Sequence, residues 1–164
     1  MEKLAFENPA GDLFSLSDEL IEKGIRESRY SARLRIIQPI HRTQDAEVQR
    51  LINFLQPGTY IRPHKHPLSH ASESIILLQG VIRFMTFNVS GLKMSDREIT
   101  AFPLPGVIDI EPDVWHSFLV LQKDTVLFEC KKGPYNAKTD KKFAGWAPDE
   151  GSATVKEWME KVSV

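Results

Sequence analysis

The chain has 164 residues, 41% of them hydrophobic, enough for one domain to bury its own core. Its 21 basic and 22 acidic side chains nearly cancel, and no run of Lys and Arg is long enough to track a phosphate backbone, so nucleic acid is not an expected partner. No segment approaches a membrane span, and "MEKLAFENPAGDLF" sets acids, Pro and Gly where a secretory leader needs unbroken apolar sequence; a soluble cytoplasmic protein is expected.

In chain order, the first element is a helix within about residues 15–28. In "SLSDELIEKGIRES", Ser15 stands three residues before Asp18 in a capping-box pattern, and Leu16, Leu20 and Ile21 fall toward one side. A β core of about 35–132 follows. Turn signals recur about every 10–15 residues: "QPG", "QG", "NVSG", "PLPG", "EPD" and "QKD". Between them lie the strand-like pieces "VQRLINFL", "SIILL", "VIRFMTFNV", "VIDI", "WHSFLVL" and "TVLFECK". The lone cysteine, Cys130, sits in the last of these and reads as a small core residue, not a catalytic thiol. A loop and helix occupy about 133–164. There Thr154 pairs with Glu157 in a second capping pattern, and Val155, Trp158, Met159 and Val162 follow helical spacing. No repeat or linker divides the chain, so residues 1–164 read as one domain, mainly β with helical ends.

The chemistry concentrates in "RPHKHPLSHASESIILLQG", residues 62–80. In an extended stretch alternate residues share a face, so His64 and His66 point the same way, and Pro63 and Pro67 favour that conformation. Glu73 opens the next strand and His116, in "EPDVWHSF", opens a distant one. Three imidazoles and a carboxylate suit an octahedral ion with two positions left over, which favours Fe(II), Mn(II) or Ni(II), while Zn(II) is also compatible. Against this stands the plainer reading of H-x-H in a Pro-rich loop, exposed and without function. His70 competes with Glu73, but it falls in a turn, and the regular strand after Glu73 favours the carboxylate; His70 is then a group at the pocket rim.

The spacing around these residues is more specific. From Gly58 the sequence runs G-x5-H-x-H, six residues to Glu73, then x6-G at Gly80; from Gly106 it runs G-x5-P-x3-H. This resembles the two motifs of the cupin superfamily, which implies a single-domain double-stranded β-helix or jelly roll with a metal inside. The chain departs from the general pattern in its longer His-to-Glu loop, in Val114 where a Gly is usual, and in Val120 where an Asn is usual. "VQRLINFLQPGTYIRPHKH", "IEPDVWHSF" and "LFECKKGPYNAKTDKKFAGWAP" look like the WbuC family of cupin-fold metalloproteins, often associated with O-antigen and surface-polysaccharide gene clusters. The resemblance covers roughly residues 15–150 and implies His64, His66, Glu73 and His116 as the ligands of one divalent ion.

Three neighbours are candidates for the pocket. Arg62 offers a guanidinium fork to a carboxylate, phosphate or acidic sugar, or is a surface arginine. Tyr60 offers a phenol or a core contact. His70 is the third. Trp115 should pack away from His116, "KKGPYNAKTDKKFAGW" either folds over a barrel mouth with Tyr135 or Lys141 or stays solvated, and His41 has no partner pattern. The expected function is a metal-dependent isomerase, decarboxylase or dioxygenase-type enzyme acting on a polar metabolite or sugar derivative. The alternative is a non-catalytic metal-containing module that binds a ligand or regulates. A homodimer through uncovered sheet edges is a further expectation.

Overall fold

A computed structural model describes residues 4–164. The chain begins with a helix, α1 (Asp18–Tyr30), and ends with another, α2 (Val155–Val162). Between them run β1 (Arg35–Pro39), β2 (Val48–Leu55), β3 (His64–Lys65), β4 (Glu73–Gln79), β5 (Val81–Phe87), β6 (Lys93–Thr100), β7 (Val107–Ile110), β8 (Trp115–Val120), β9 (Thr125–Lys132) and β10 (Lys142–Phe143). They form two antiparallel five-stranded sheets, β1-β2-β9-β4-β7 and β10-β3-β8-β5-β6. β4 and β5 are consecutive yet lie in different sheets. Gly80, at φ +91°, makes that corner, and a side chain there would meet Thr125.

Strand alternation sorts residues into three layers. Ile36 of β1, Ile52 and Phe54 of β2 and Val126 of β9 point outward from the first sheet, where Phe6, Leu16 and Ile25 cover them. α1 comes close enough there that Gly24 lies against the Phe54 ring. Met85, Phe87 and Leu119 point outward from the second sheet and are covered by Trp115, Trp146 and the α2 residues Trp158, Met159 and Val162. Leu55, Ile75, Leu77, Ile82, Phe84, Phe118, Val120 and Leu127 point inward and fill one half of the space between the sheets.

The helices start differently from the sequence patterns. Ser17, not Ser15, caps α1 by accepting a hydrogen bond from Leu20 N–H, and Thr154 precedes α2 without any capping bond from its side chain. β1, β3, β6 and β10 are absent from the strand-like pieces read in the sequence, and β10 lies in the stretch read as a loop. β6 is a polar edge strand, "KMSDREIT", whose charges suit an unpaired edge and hide the apolar signal of a strand.

Candidate metal centre

The inward face changes character along each strand. In β2 it reads Gln49, Leu51, Asn53, Leu55; in β9, Leu127, Glu129, Lys131; in β4, Glu73, Ile75, Leu77; in β8, His116, Phe118, Val120. The apolar ends meet in the packed half of the barrel. The polar ends surround a cavity of about 360 Å³ lined by His64, Glu73, His116, Glu129 and Lys131 among others.

His64 lies opposite His116 across the β3–β8 pair, which is why residues 52 positions apart in sequence meet. The single residue between His64 and His66 is Lys65, whose side chain points away from both, pairs with the Asp113 carboxylate and lies over the Trp115 ring. His64, His66, Glu73 and His116 are all buried, and each offers one ligand atom within 4.8 Å of the others. The Asp113 turn before His116 has φ +67°, so the left-handed residue of this loop is Asp113; Val114, where Gly is usual in cupins, need not supply it.

Each imidazole is oriented from behind. Nδ1–H of His64 donates to Arg62 O at 2.9 Å, that of His66 to Asp140 O at 2.6 Å, and that of His116 to Val114 O at 2.9 Å. The proton of each neutral ring is therefore on Nδ1, and the Nε2 lone pairs face inward. His66 Nε2 is 2.9 Å and His116 Nε2 3.3 Å from Glu73 Oε2, while His64 Nε2 and His116 Nε2 are buried without a hydrogen bond. Converging lone pairs on a carboxylate need a cation at their centre, so the donor set fits a divalent metal.

The electrostatics agree. Burial, helped by the charge of Lys141, holds the His64 pKa well below its usual range and so keeps the ring neutral. Burial works to raise Glu73, but the facing His116 and His66 rings, with the Lys141 charge, outweigh it and hold the carboxylate ionised. Glu129 goes the other way: burial, then the Glu73 charge, push its carboxyl up, and Asn53 Nδ2 donates to it at 3.1 Å. Lys131, also buried, pairs with the Asp140 carboxylate at 2.6 Å.

The remaining candidates separate. Arg62 lines the cavity, but its guanidinium pairs with Asp149 and donates to Ala144 O at 2.9 Å, so it holds the C-terminal segment against the barrel. Tyr60 is outside the cavity lining: it is buried, its hydroxyl donates to Pro148 O at 2.8 Å, and its ring packs edge-on against Trp158. His70 is exposed in the turn before β4 and does not line the cavity either. Tyr135 and Lys141 do line it, because residues 133–141 fold over its mouth. Sequence reasoning missed His41, Gln49, Asn53, Glu129, Lys131 and Asp140. A signal existed for four of them: polar residues at inward parity in β2 and β9, strands otherwise rich in apolar residues.

Two antiparallel sheets enclosing a His/His/Glu/His cluster define the cupin jelly roll with a candidate divalent-metal site. A family model described as "Domain of unknown function (DUF6016)" matches residues 16–99, just over half of the chain, and the chain belongs to that family. Solved structures share the fold at low identity. CapF from Staphylococcus aureus, titled a capsular polysaccharide assembling protein, is 16% identical over 65% of this chain and 29% of its own, with a TM-score of 0.54. A tryptophan-to-phenylalanine variant of the oxalate decarboxylase of B. subtilis is 11% identical over 65% of this chain and 27% of its own, at 0.51. KdgF from Halomonas sp. is 14% identical over 63% of this chain and 82% of its own, at 0.47. This chain thus spans under a third of CapF and of the decarboxylase. No curated protein matches it. Among the described residues no helix is long and apolar enough to cross a membrane.

Proposed function

We propose that the protein is a small metal-dependent enzyme acting on a polar metabolite, with Fe(II), Mn(II) or Ni(II) held by His64, His66, Glu73 and His116. The observation that carries this reading is the junction of buried, pre-oriented donors with a cavity. A purely structural ion would be closed in by protein ligands, whereas an octahedral ion held by these four would keep two positions for other ligands, and His64, Glu73 and His116 line the cavity. Zn(II) is compatible with the same donors.

An ion bound here supplies Lewis acidity for isomerisation or decarboxylation or, as Fe(II), a site for dioxygen chemistry. The chain's own residues do the rest. The carbonyls of Arg62, Val114 and Asp140 fix the rings, and Glu73 contributes the one formal negative charge among the four ligands. Ile75 and Phe118 close the inner end of the cavity against water. The motif resemblance to the WbuC family supports a sugar derivative linked to surface-polysaccharide metabolism as substrate. CapF, at 16% identity, adds only the shared fold. A cytoplasmic location and pairing through the outer strands β6 and β7 belong to the same proposal.

The test is metal analysis of protein purified without a nickel column, beside His64→Ala and His116→Ala. Full metal content in both variants sinks the ligand assignment. Incubation with sugar-nucleotide and small-acid extracts, read by mass spectrometry, then separates metal-dependent turnover from binding without conversion, which would make the protein a non-catalytic module.

A further inference from the structure

His41 lines the same cavity as the metal centre, and nothing in the metal site uses it. It follows β1, and the antiparallel register that sets Pro39 opposite Leu51 continues to place it beside Gln49. Its ring is 1% exposed. Arg50 N–H and C=O both face the β1 side: the carbonyl, 3.0 Å from His41 Nδ1, has Ile40 N–H as its donor at 2.8 Å, and the N–H takes His41 Nδ1 as its acceptor at 3.1 Å. Nδ1 is thus an acceptor and the proton resides on Nε2, which is buried without a hydrogen-bond partner. A buried donor left unpaired costs stability, and one facing a cavity is satisfied by whatever fills that cavity.

The span between the two ends follows from the sheet. Gln49 lies opposite Lys131, and Lys131 opposite Glu73, so His41, Gln49, Lys131 and Glu73 form one rung across the first sheet. Three strand spacings separate its ends by about 14 Å. Taking this backbone span as the reach between the two side-chain ends, one metal–oxygen bond and one hydrogen bond leave about 9 Å for a ligand. That is the length of an extended six-carbon hydroxy acid.

Charge decides which end faces which way. A divalent ion with one carboxylate ligand is net positive, and Lys141, also on the cavity wall, adds its field at His64, Glu73 and Glu129. Among the described residues Lys141 forms no hydrogen bond or ion pair, unlike Lys131, which Asp140 neutralises. The metal end therefore attracts an anion, and the far end offers a neutral N–H.

From these placements we infer that the cavity binds a polyhydroxylated carboxylate, about six carbons long, with its carboxylate at the metal beside Lys141 and its far hydroxyl accepting from His41 Nε2–H. The inference rests on the metal reading above and adds the substrate class and a specificity-determining residue.

Calorimetry with Mn(II)-loaded protein tests it, using gluconate as the long probe and glycolate as a short one with the same hydroxy-acid head. Metal content is measured first. Protein that binds no divalent ion overturns the metal reading and this inference together; protein that binds the ion but not gluconate overturns the inference alone. Wild-type protein should bind gluconate about tenfold more tightly than glycolate, the scale of one buried hydrogen bond. His41→Asn keeps an acceptor for Arg50 N–H and removes the Nε2 donor, and it should erase that tenfold margin without changing glycolate binding. Lys141→Met should weaken both probes. Unchanged gluconate affinity in His41→Asn overturns the assignment of His41. Should that variant misfold, the wild-type margin still decides, since equal affinity for the two probes contradicts a ligand that spans the cavity.

Discussion

His66 Nε2 faces Glu73 Oε2 at 2.9 Å, while the other nitrogen of the same ring donates to Asp140 O at 2.6 Å. Two acceptors brought this close inside a barrel repel unless a cation lies at their meeting point. In Glu73→Gln the amide N–H₂ can donate to the histidine lone pairs, which satisfies them without an ion. The fold should survive, and divalent-metal affinity should fall by more than about a hundredfold, since groups outside the ligand shell are already worth 10–100-fold. Competition with a chromogenic chelator measures it.

Asp140 joins two parts of the site, since its carbonyl orients His66 and its carboxylate neutralises Lys131. Removing one partner of a buried pair leaves the other charge unpaired. Asp140→Ala should cost about 3–5 kcal/mol in urea unfolding. Adding Lys131→Met should recover most of the loss, because the stranded ammonium is gone; no recovery would show that the loop needs Asp140 for another reason.

Gly24 lies mid-helix, where alanine normally gains about 1 kcal/mol. Here an added Cβ would collide with the Phe54 ring, which is fully buried between α1 and the first sheet. Gly24→Ala should therefore destabilise the protein by about 1–3 kcal/mol, the cost of overpacking. Denaturation of Gly24→Ala alone and with Phe54→Leu gives the comparison, and the second change should relieve part of the strain.

Metal-free protein should lose stability in acid. His64 has its pKa lowered from 6.5 by burial, and Glu73 is lowered from 4.5 by the facing His116 and His66 rings and the Lys141 charge against the opposing effect of burial. In both cases the unfolded chain binds more protons, so stability is complete above about pH 6.5 and falls as pH drops, first through His64 and then through Glu73. Metal should leave over the same range, because protons compete for the imidazoles. Melting temperature and metal content between pH 7.5 and 4 check this, and full metal retention at pH 4 would exclude histidine ligation.

Much of the site was legible because its ligands sit at fixed spacings in strands. Alternation put His64 and His66 on one face, and β4 fixed the direction of Glu73. Val114 breaks the general cupin pattern, but the turn needs its left-handed residue one position earlier, at Asp113, and aspartate tolerates that conformation. Ser15 looked like the cap of α1 because its pattern with Asp18 is local, yet the chain turns into the helix two residues later, at Ser17. β6 was hidden because an edge strand carries charge where a core strand carries alternation.

The sequence by itself determined six of the strands and the metal-ligand candidates, since both depend on composition and short-range spacing along single strands. Tertiary structure alone decided the cavity. The pairing of β1 with β2, β2 with β9 and β9 with β4 aligned Gln49, Lys131 and Glu73 across three strands with His41 just beyond β1, and the loop 133–141 carried Asp140 and Lys141 onto the cavity wall. No local pattern encodes such a rung, because its members are neighbours only through the register of strands distant in the chain.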